Sequence, residues 1–209
     1  MKKILFPILM ALVLAACATS APDRSKRTAT TLDALQQNST KARLQIDSVL
    51  ASLDALLNAP SDHLRSAYDK YNADVAKMKE YASAIRENDS DLQKNSDAYL
   101  KNWQKDASSV SNPELRAIAE QRRDEIATKY RTMSTSYAGA AQSFTSFLRD
   151  IDDIRKVIGN DLTPTGQATV KNTTLAQSVK SEGAQVAQSL QTAEQSIADF
   201  RAQITPVAK

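Results

Sequence analysis

Residues 126–158 have the sequence IATKYRTMSTSYAGAAQSFTSFLRDIDDIRKVI, in which apolar side chains recur at alternating intervals of four and three residues. The series runs from Ile126 to Ile158 without a fault. This spacing places its members on one face of an α-helix and is the heptad pattern of a seam that packs against other helices. We therefore predict a long helix, helix C, over residues 113–158, with Pro113 in the first turn, where proline is favoured.

Three other stretches repeat the pattern and are separated from one another by helix-breaking residues. They predict helix A over residues 28–58, helix B over 61–110 and helix D over 167–204. The stripe of helix A consists of Leu32, Leu35, Ser39, Ala42, Ile46, Val49, Leu53 and Leu56. In helix B, residues 87–91 have poor helix propensity, which leaves open whether this helix is kinked or broken there.

The stripes of consecutive helices can be set in antiparallel register, because facing residues in such a pair have a constant index sum. In helices B and C, Val75 then faces Ile151. At the turn between these helices, Val110 faces Leu115. The pattern therefore predicts an all-α fold, an elongated up-down-up-down four-helix bundle with coiled-coil-like seams. A single domain over residues 28–209 holds all four helices.

Unequal helix lengths predict that one end of the bundle protrudes as a helical hairpin tip. Helix A begins level with Asp89 of helix B, and helix D ends level with Arg122 of helix C, so the turn between B and C extends beyond both. Tyr99 and Trp103 lie near this tip, and the register places Arg122 against Trp103. Two interpretations stay open: these side chains fill the seam, with Arg122 stacked on the indole ring, or they contact a membrane interface or a protein partner.

The first 17 residues carry a secretory signal. Lys2 and Lys3 precede an apolar run that is shorter than the roughly 20 residues that a transmembrane helix needs. The run closes with Leu14, Ala15, Ala16 and Cys17. Small residues before a cleavage point are typical of signals of this kind.

These four residues resemble the lipobox of bacterial lipoproteins. The resemblance implies that residues 1–16 are a cleaved signal peptide, that Cys17 carries diacylglycerol through a thioether, and that its new amino group is acylated. Residues 17–27 then form the lipidated cysteine and its tether. Ala18, rather than an aspartate, follows Cys17, which by resemblance to the sorting pattern of Gram-negative lipoproteins favours the outer membrane.

The charge balance argues against a nucleic-acid partner. Lys2 and Lys3 fall within the signal peptide, so 25 of the 27 basic residues belong to the mature chain, against 24 acidic residues. A nearly neutral chain lacks the basic excess that binding to nucleic acid requires. Cys17 is the only cysteine, so disulfides do not contribute to the predicted fold.

No motif of catalysis or of cofactor binding is recognisable. His63 is the only histidine, so a metal site would lack the partners that it needs. Two carboxylate pairs, Asp89 with Asp91 and Asp152 with Asp153, are expected to be solvated on the bundle surface. Catalysis would instead need them in a pocket with displaced pKa values. We predict no catalytic residue, no metal and no cofactor.

Part of helices B and C resembles a family of bacterial helical proteins of unknown function. The residues that carry the resemblance are Tyr99-Leu100-Lys101-Asn102-Trp103, Asn112-Pro113-Glu114-Leu115-Arg116, Tyr130 and Ser146-Phe147-Leu148-Arg149-Asp150. The resemblance extends over about residues 61–205. It implies a helical body and no particular activity.

These features predict a non-catalytic, lipid-anchored lipoprotein of the bacterial envelope that faces the periplasm and works as a structural or protein-interaction module. Its partners would be the membrane, through the anchor, and a protein of unknown identity. A second copy of the chain is one candidate, because helix D carries few charges. The alternative is a periplasmic chaperone or binder of unfolded envelope proteins, a task that long helical prongs suit. Such chaperones usually carry strong positive charge, whereas this chain is nearly neutral.

Overall fold

A computed structural model describes residues 21–205, which form five α-helices that pack together. The helices are α1 (Ala21–Leu57), α2 (Leu64–Ser108), α3 (Pro113–Asn160), α4 (Pro164–Lys171) and α5 (Thr174–Ile204). This part of the chain contains no strand, so the predicted all-α fold class is confirmed for it. The predicted signal peptide and lipobox, residues 1–17, lie outside the described residues.

Side-chain caps set the start of three helices. Asn112 precedes α3, and its side-chain oxygen accepts hydrogen bonds from the backbone N–H groups of Glu114 and Leu115 at 2.9 and 3.1 Å. Thr163 caps α4 and Thr173 caps α5 in a similar way, each by accepting from a backbone N–H three residues later. These caps satisfy N–H groups that the first turn of a helix otherwise leaves without a partner.

The core consists of one apolar stripe on each long helix. All eight stripe positions of α1 are buried, and none is more than 1 % exposed. In α3, the stripe from Ile126 to Ile158 is buried throughout except at Tyr130, which is half-buried. The residues that the heptad pattern places on the inward faces of α1 and α3 therefore do form the core.

The contacts between helices define their directions. Helices α1 and α3 each pack against both α2 and α5. Thr31 of α1 meets Asn95 of α2, with 3.1 Å between Oγ1 and Nδ2, whereas Gln45 meets the backbone oxygen of Asp74 at 3.2 Å. Because rising residue numbers in α1 pair with falling numbers in α2, the two helices run antiparallel. Rising residue numbers also pair with falling numbers between α2 and α3, between α3 and α5 and between α5 and α1, so these pairs are antiparallel as well.

Two predicted boundaries are wrong, and one open alternative is resolved. Helix α1 begins at Ala21, so residues 21–27, which were assigned to the tether, are helical. The predicted helix D is two helices, because Thr173 caps α5 and separates it from α4. Helix α2 continues through residues 87–91, where a break was one alternative.

A glycine allows α5 to approach α1 and α3 closely. Gly183 is buried, and a Cβ added to it would lie 2.8 Å from Leu50 Cδ1 and 3.3 Å from a ring carbon of Phe147. A larger side chain at this position would have to displace at least one of these groups. The Phe147 ring is therefore held between α3, α5 and the residues of α1 beside it.

Phe147→Ala is expected to lower the free energy of unfolding by about 3–5 kcal/mol, because the ring is 1 % exposed and its removal leaves a cavity in the seam. Val157 lies on the same helix but is 55 % exposed. Val157→Ala is therefore the matched control and should change stability by no more than ~0.5 kcal/mol. Urea denaturation measures both variants. A loss below about 1 kcal/mol for Phe147→Ala would mean that this stripe of α3 faces solvent.

Candidate functional site

Two aromatic side chains mark the end of the molecule where α2 and α3 meet, here called the hairpin end (residues 99–122). Tyr99 and Trp103 lie one turn apart on α2, with ring centroids 5.5 Å apart and ring planes at 75°. This edge-to-face arrangement is favourable between aromatic rings. Both side chains are half-buried, so the pair packs in the seam and also keeps part of its surface in contact with solvent.

Arg122 connects the hairpin end to α5. Its guanidinium group donates to a carboxylate oxygen of Glu125 at 3.1 Å, and to the backbone and side-chain oxygens of Gln203, both at 3.3 Å. Gln203 is in the last turn of α5, where the free carbonyl groups favour a cation. The polar contacts of Arg122 thus lie with α5 and Glu125, whereas the predicted register had placed this side chain against Trp103.

Leu115 and Ile118 are exposed at the hairpin end. Each is 57 % exposed, although both are large and apolar. They lie on the face of α3 that includes Arg122, because helix positions three, four and seven residues apart share one face. Helix α5 ends at Ile204, next to Arg122, and does not extend along this part of α3. The prediction that Leu115 lies in the seam against Val110 is therefore wrong.

The first turns of α1 lie at the same end of the molecule. The hydroxyl group of Ser25 donates to the backbone oxygen of Ile204, and Thr31 contacts Asn95 of α2. Ser25 is only 5 % exposed. The prediction that helix A begins level with Asp89 is therefore wrong, because α1 continues to the hairpin end.

A charge cluster links α2 and α3 in the other half of the molecule. The side chain of Asp152 is only 13 % exposed. It accepts hydrogen bonds from Lys79 of α2 at 2.7 Å and from Arg155 at 2.8 Å, and Lys156 lies 3.1 Å from its second oxygen. Desolvation alone would raise the pKa of Asp152, but the three cations outweigh it and hold the pKa well below its usual range. The expectation that this carboxylate is solvated is wrong.

Buried polar groups interrupt the apolar core beside the second half of α2. Ser39 and Ser96 are buried, and the hydroxyl group of Tyr137 points to the backbone oxygen of Ile85 at 3.5 Å. Burial raises the pKa of Tyr137, and the nearby carboxylate of Asp89 raises it further. Burial also raises the pKa of Asp89, which is half-buried rather than fully solvated. Polar positions in a helical seam favour one register over its alternatives.

His63 lies near the turn between α1 and α2, with its side chain 70 % exposed and Nε2 3.7 Å from a carboxylate oxygen of Asp62. Among residues 21–205, no three His, Cys, Asp or Glu side chains are placed to share a metal ion. None of the helices in this range combines the length and the hydropathy of a membrane span. Because Leu115 and Ile118 are large apolar residues exposed on one face, we take the apolar surface of the hairpin end as the candidate functional site.

Comparison with known proteins finds one family. Residues 24–205 match the family described as protein of unknown function DUF2959. The match includes α2 to α5 and all of α1 except its first three residues, so the resemblance to a family of unknown function is confirmed and extends further than residues 61–205. No curated protein and no solved structure matches the chain.

Asp152→Asn is expected to lower the free energy of unfolding at pH 7 by about 1.5–3 kcal/mol, because the substitution removes the negative charge and one of the two oxygens that face the three cations. The folded-state pKa of Asp152 is depressed, so its contribution is present above the unfolded pKa of about 3.9 and is lost as the pH falls through the folded pKa. The difference between Asp152→Asn and the wild type should therefore be largest at neutral pH and shrink below about pH 4.

Asp153→Asn is the matched control, because Asp153 is the next residue but its side chain is 51 % exposed and pairs with Lys156 at 3.0 Å. Denaturation of both variants between pH 7 and pH 2 measures the effect. An equal loss for the two variants, or a difference from wild type that does not change with pH, would show that the cluster does not stabilise the fold.

Proposed function

We propose, for a chain that belongs to the DUF2959 family of proteins of unknown function, a role as a lipid-anchored lipoprotein of the bacterial cell envelope. Its helical body serves as a structural or protein-interaction module and not as an enzyme. The anchor lies in the outer membrane, and the body faces the periplasm. The partner is another envelope protein or a second copy of the chain.

The observation that carries this proposal is the short stretch of chain between Cys17 and the folded body. Ala21, the first described residue of α1, comes four residues after Cys17. Four residues span at most ~14 Å when fully extended. The first turns of α1 also lie beside the hairpin end, where Ser25 contacts Ile204. An anchor at Cys17 would thus hold the body by one end, directly at the membrane surface, which suits a scaffold or docking module.

The proposed architecture is an up-down-up-down four-helix bundle in which α4 and α5 together form the fourth arm. Support comes from the packing of α1 and α3 on both α2 and α5, and from the antiparallel contacts between these helices. The side chain of Gln167 in α4 donates to the backbone oxygens of Leu56 and Ala59 at 2.6 and 3.0 Å. Helix α4 therefore covers the end opposite the hairpin end. A rod of this kind presents long helical faces to a partner.

The surroundings of the charged cluster suit a structural role better than a catalytic one. A general acid or base works best with a pKa near the operating pH. The cations Lys79, Arg155 and Lys156 move the pKa of Asp152 away from that range. Since the same contacts join α2 to α3, they stabilise the body rather than prepare the carboxylate for proton transfer.

Cys17→Ser is expected to leave the chain unprocessed or soluble, because the thioether that carries the lipid cannot form. Ala18→Asp keeps Cys17 and is the matched control. It should remain lipidated and, by the sorting resemblance, move from the outer-membrane to the inner-membrane fraction. Fractionation of cells combined with intact-mass measurement reads both variants. A Cys17→Ser chain that fractionates with membranes at normal mass would contradict the lipid anchor.

Two other results would contradict the proposed role as a structural or protein-interaction module. One is a turnover activity that disappears on a single side-chain substitution, which would make the protein an enzyme. The other is strong suppression of the aggregation of unfolded envelope proteins by the soluble Cys17→Ser chain. That result would favour the periplasmic chaperone over a module with a defined partner, whereas crosslinking in intact cells to one discrete species would support the module.

A further inference from the structure

The hairpin end exposes two apolar side chains of α3, here called the apolar pair. They continue the apolar face of α3 beyond the point where neighbouring helices bury it. Leu115 and Ile118 are each 57 % exposed and follow the same face of α3 as Arg122. Arg122 contacts Gln203 in the last turn of α5, so α3 extends past the end of α5 at this point. Scattered apolar residues on a surface are ordinary, but two on one face at the end of a core stripe form a surface that a partner can cover.

The start of α1 lies level with this pair. Ser25 contacts Ile204 and Arg122 contacts Gln203, so Ser25 and Arg122 lie at nearly the same height along the bundle. Ala21 is four residues before Ser25, which is ~6 Å further toward the hairpin end. In α3, which runs parallel to α1, a step of four residues from Arg122 toward the hairpin end leads to Ile118. Ala21 and Ile118 therefore lie at about the same height along the bundle.

The chain before α1 is too short to carry an anchor away from this end. The step from Cys17 to Ala21 spans at most ~14 Å. With neighbouring helices 8–10 Å apart, the diagonal of the bundle from α1 to α3 is roughly 11–14 Å. A lipid on Cys17 would therefore enter the membrane within about one bundle width of Leu115 and Ile118.

We propose that the hairpin end rests on the lipid surface that holds the anchor, with Leu115 and Ile118 inserted among the headgroups. The inference rests on the lipidation of Cys17 in the proposed function and names the lipid bilayer as a partner of the folded body. Tyr99 and Trp103 lie on α2 at the same end of the molecule, and amphipathic rings such as these are favoured at a membrane interface.

The charged side chains at the hairpin end do not by themselves favour a lipid surface over another partner. The exposed residues Lys101 and Lys105 are favourable beside anionic headgroups, whereas Asp106 and Glu114 are unfavourable there. The apolar pair and the position of the anchor therefore carry the contact. Two other occupants could cover the apolar pair without lipid: a second copy of the chain, or the residues after Thr205. The experiment below distinguishes them from the bilayer.

The test uses the full mature chain with lipid on Cys17, so that only an introduced cysteine reacts with a fluorescent label. Ile118→Cys places the label in the apolar pair. Val157→Cys is the matched control, because Val157 is 55 % exposed on the same helix, ~58 Å from Ile118. The labelled chains are bound to vesicles of phosphatidylethanolamine and phosphatidylglycerol with or without nitroxide-labelled lipid. Flotation of the vesicles reports the anchoring, and quenching by the nitroxide reports contact with the bilayer.

The expected result is flotation of both chains, with quenching several-fold stronger at position 118 than at position 157. Equal quenching, or stronger quenching at 157, in chains that float would overturn the orientation and leave the anchor intact. Protection of the 118 label from iodide before vesicles are added would show that a second copy or the C-terminal residues cover the pair, and would also overturn the proposal. If the chain isolated from cells carries no lipid on Cys17, or carries it and still fails to float, the anchor is wrong and this contact is overturned with it.

Discussion

The burial of one apolar stripe on each long helix is the constraint on which the rest of the structure depends. Side chains spaced alternately three and four residues apart leave water together only when neighbouring helices keep one register. The stripe of α1 is no more than 1 % exposed at any position, and Phe147 and Ile151 of α3 are as well buried. The same register decides which ends of the helices meet. It brings the start of α1, the end of α5 and the turn between α2 and α3 to one end of the molecule, and it leaves Leu115 and Ile118 without a covering helix.

Polar contacts within and beside the seam hold this register. The hydroxyl group of Tyr71 donates to the backbone oxygen of Ile151 at 2.7 Å, and burial raises the pKa of Tyr71. A slip of α2 along α3 would bury that hydroxyl without its partner, which costs about 1–3 kcal/mol. The three cations around Asp152 would lose their alignment in the same movement, since Lys79 reaches across from α2. Burial of apolar side chains therefore drives the packing of the helices. The polar groups favour the observed register over others that would bury similar apolar areas.

Helix periodicity predicts the seam well, because burial and helical geometry share one repeat, and Asn112 before a proline is a local signal for the start of α3. The part of α1 before the predicted start at residue 28 has no such signal. Residues 21–27 lack an apolar period, and their helix is held by the small polar side chain of Ser25 against the end of α5. The break between α4 and α5 is also hidden from periodicity, because Thr173 interrupts a stripe that otherwise reads as continuous. In the candidate site, the aromatic pair was predictable from its position near the tip. The exposure of Leu115 and the burial of Asp152 were not, because each depends on which groups of another helix reach that height.

The distance from the start of α1 to each end of the bundle tests this register most directly. Spin labels at Lys26→Cys and Ser111→Cys, or at Lys26→Cys and Ser61→Cys, can be compared by pulsed EPR in a Cys17→Ser background. From the helical rise and the spacing of packed helices, the register predicts roughly 20 Å between positions 26 and 111, and roughly 45 Å between positions 26 and 61. A shorter distance from position 26 to position 61 than to position 111 would contradict the register and, with it, the placement of the anchor at the hairpin end.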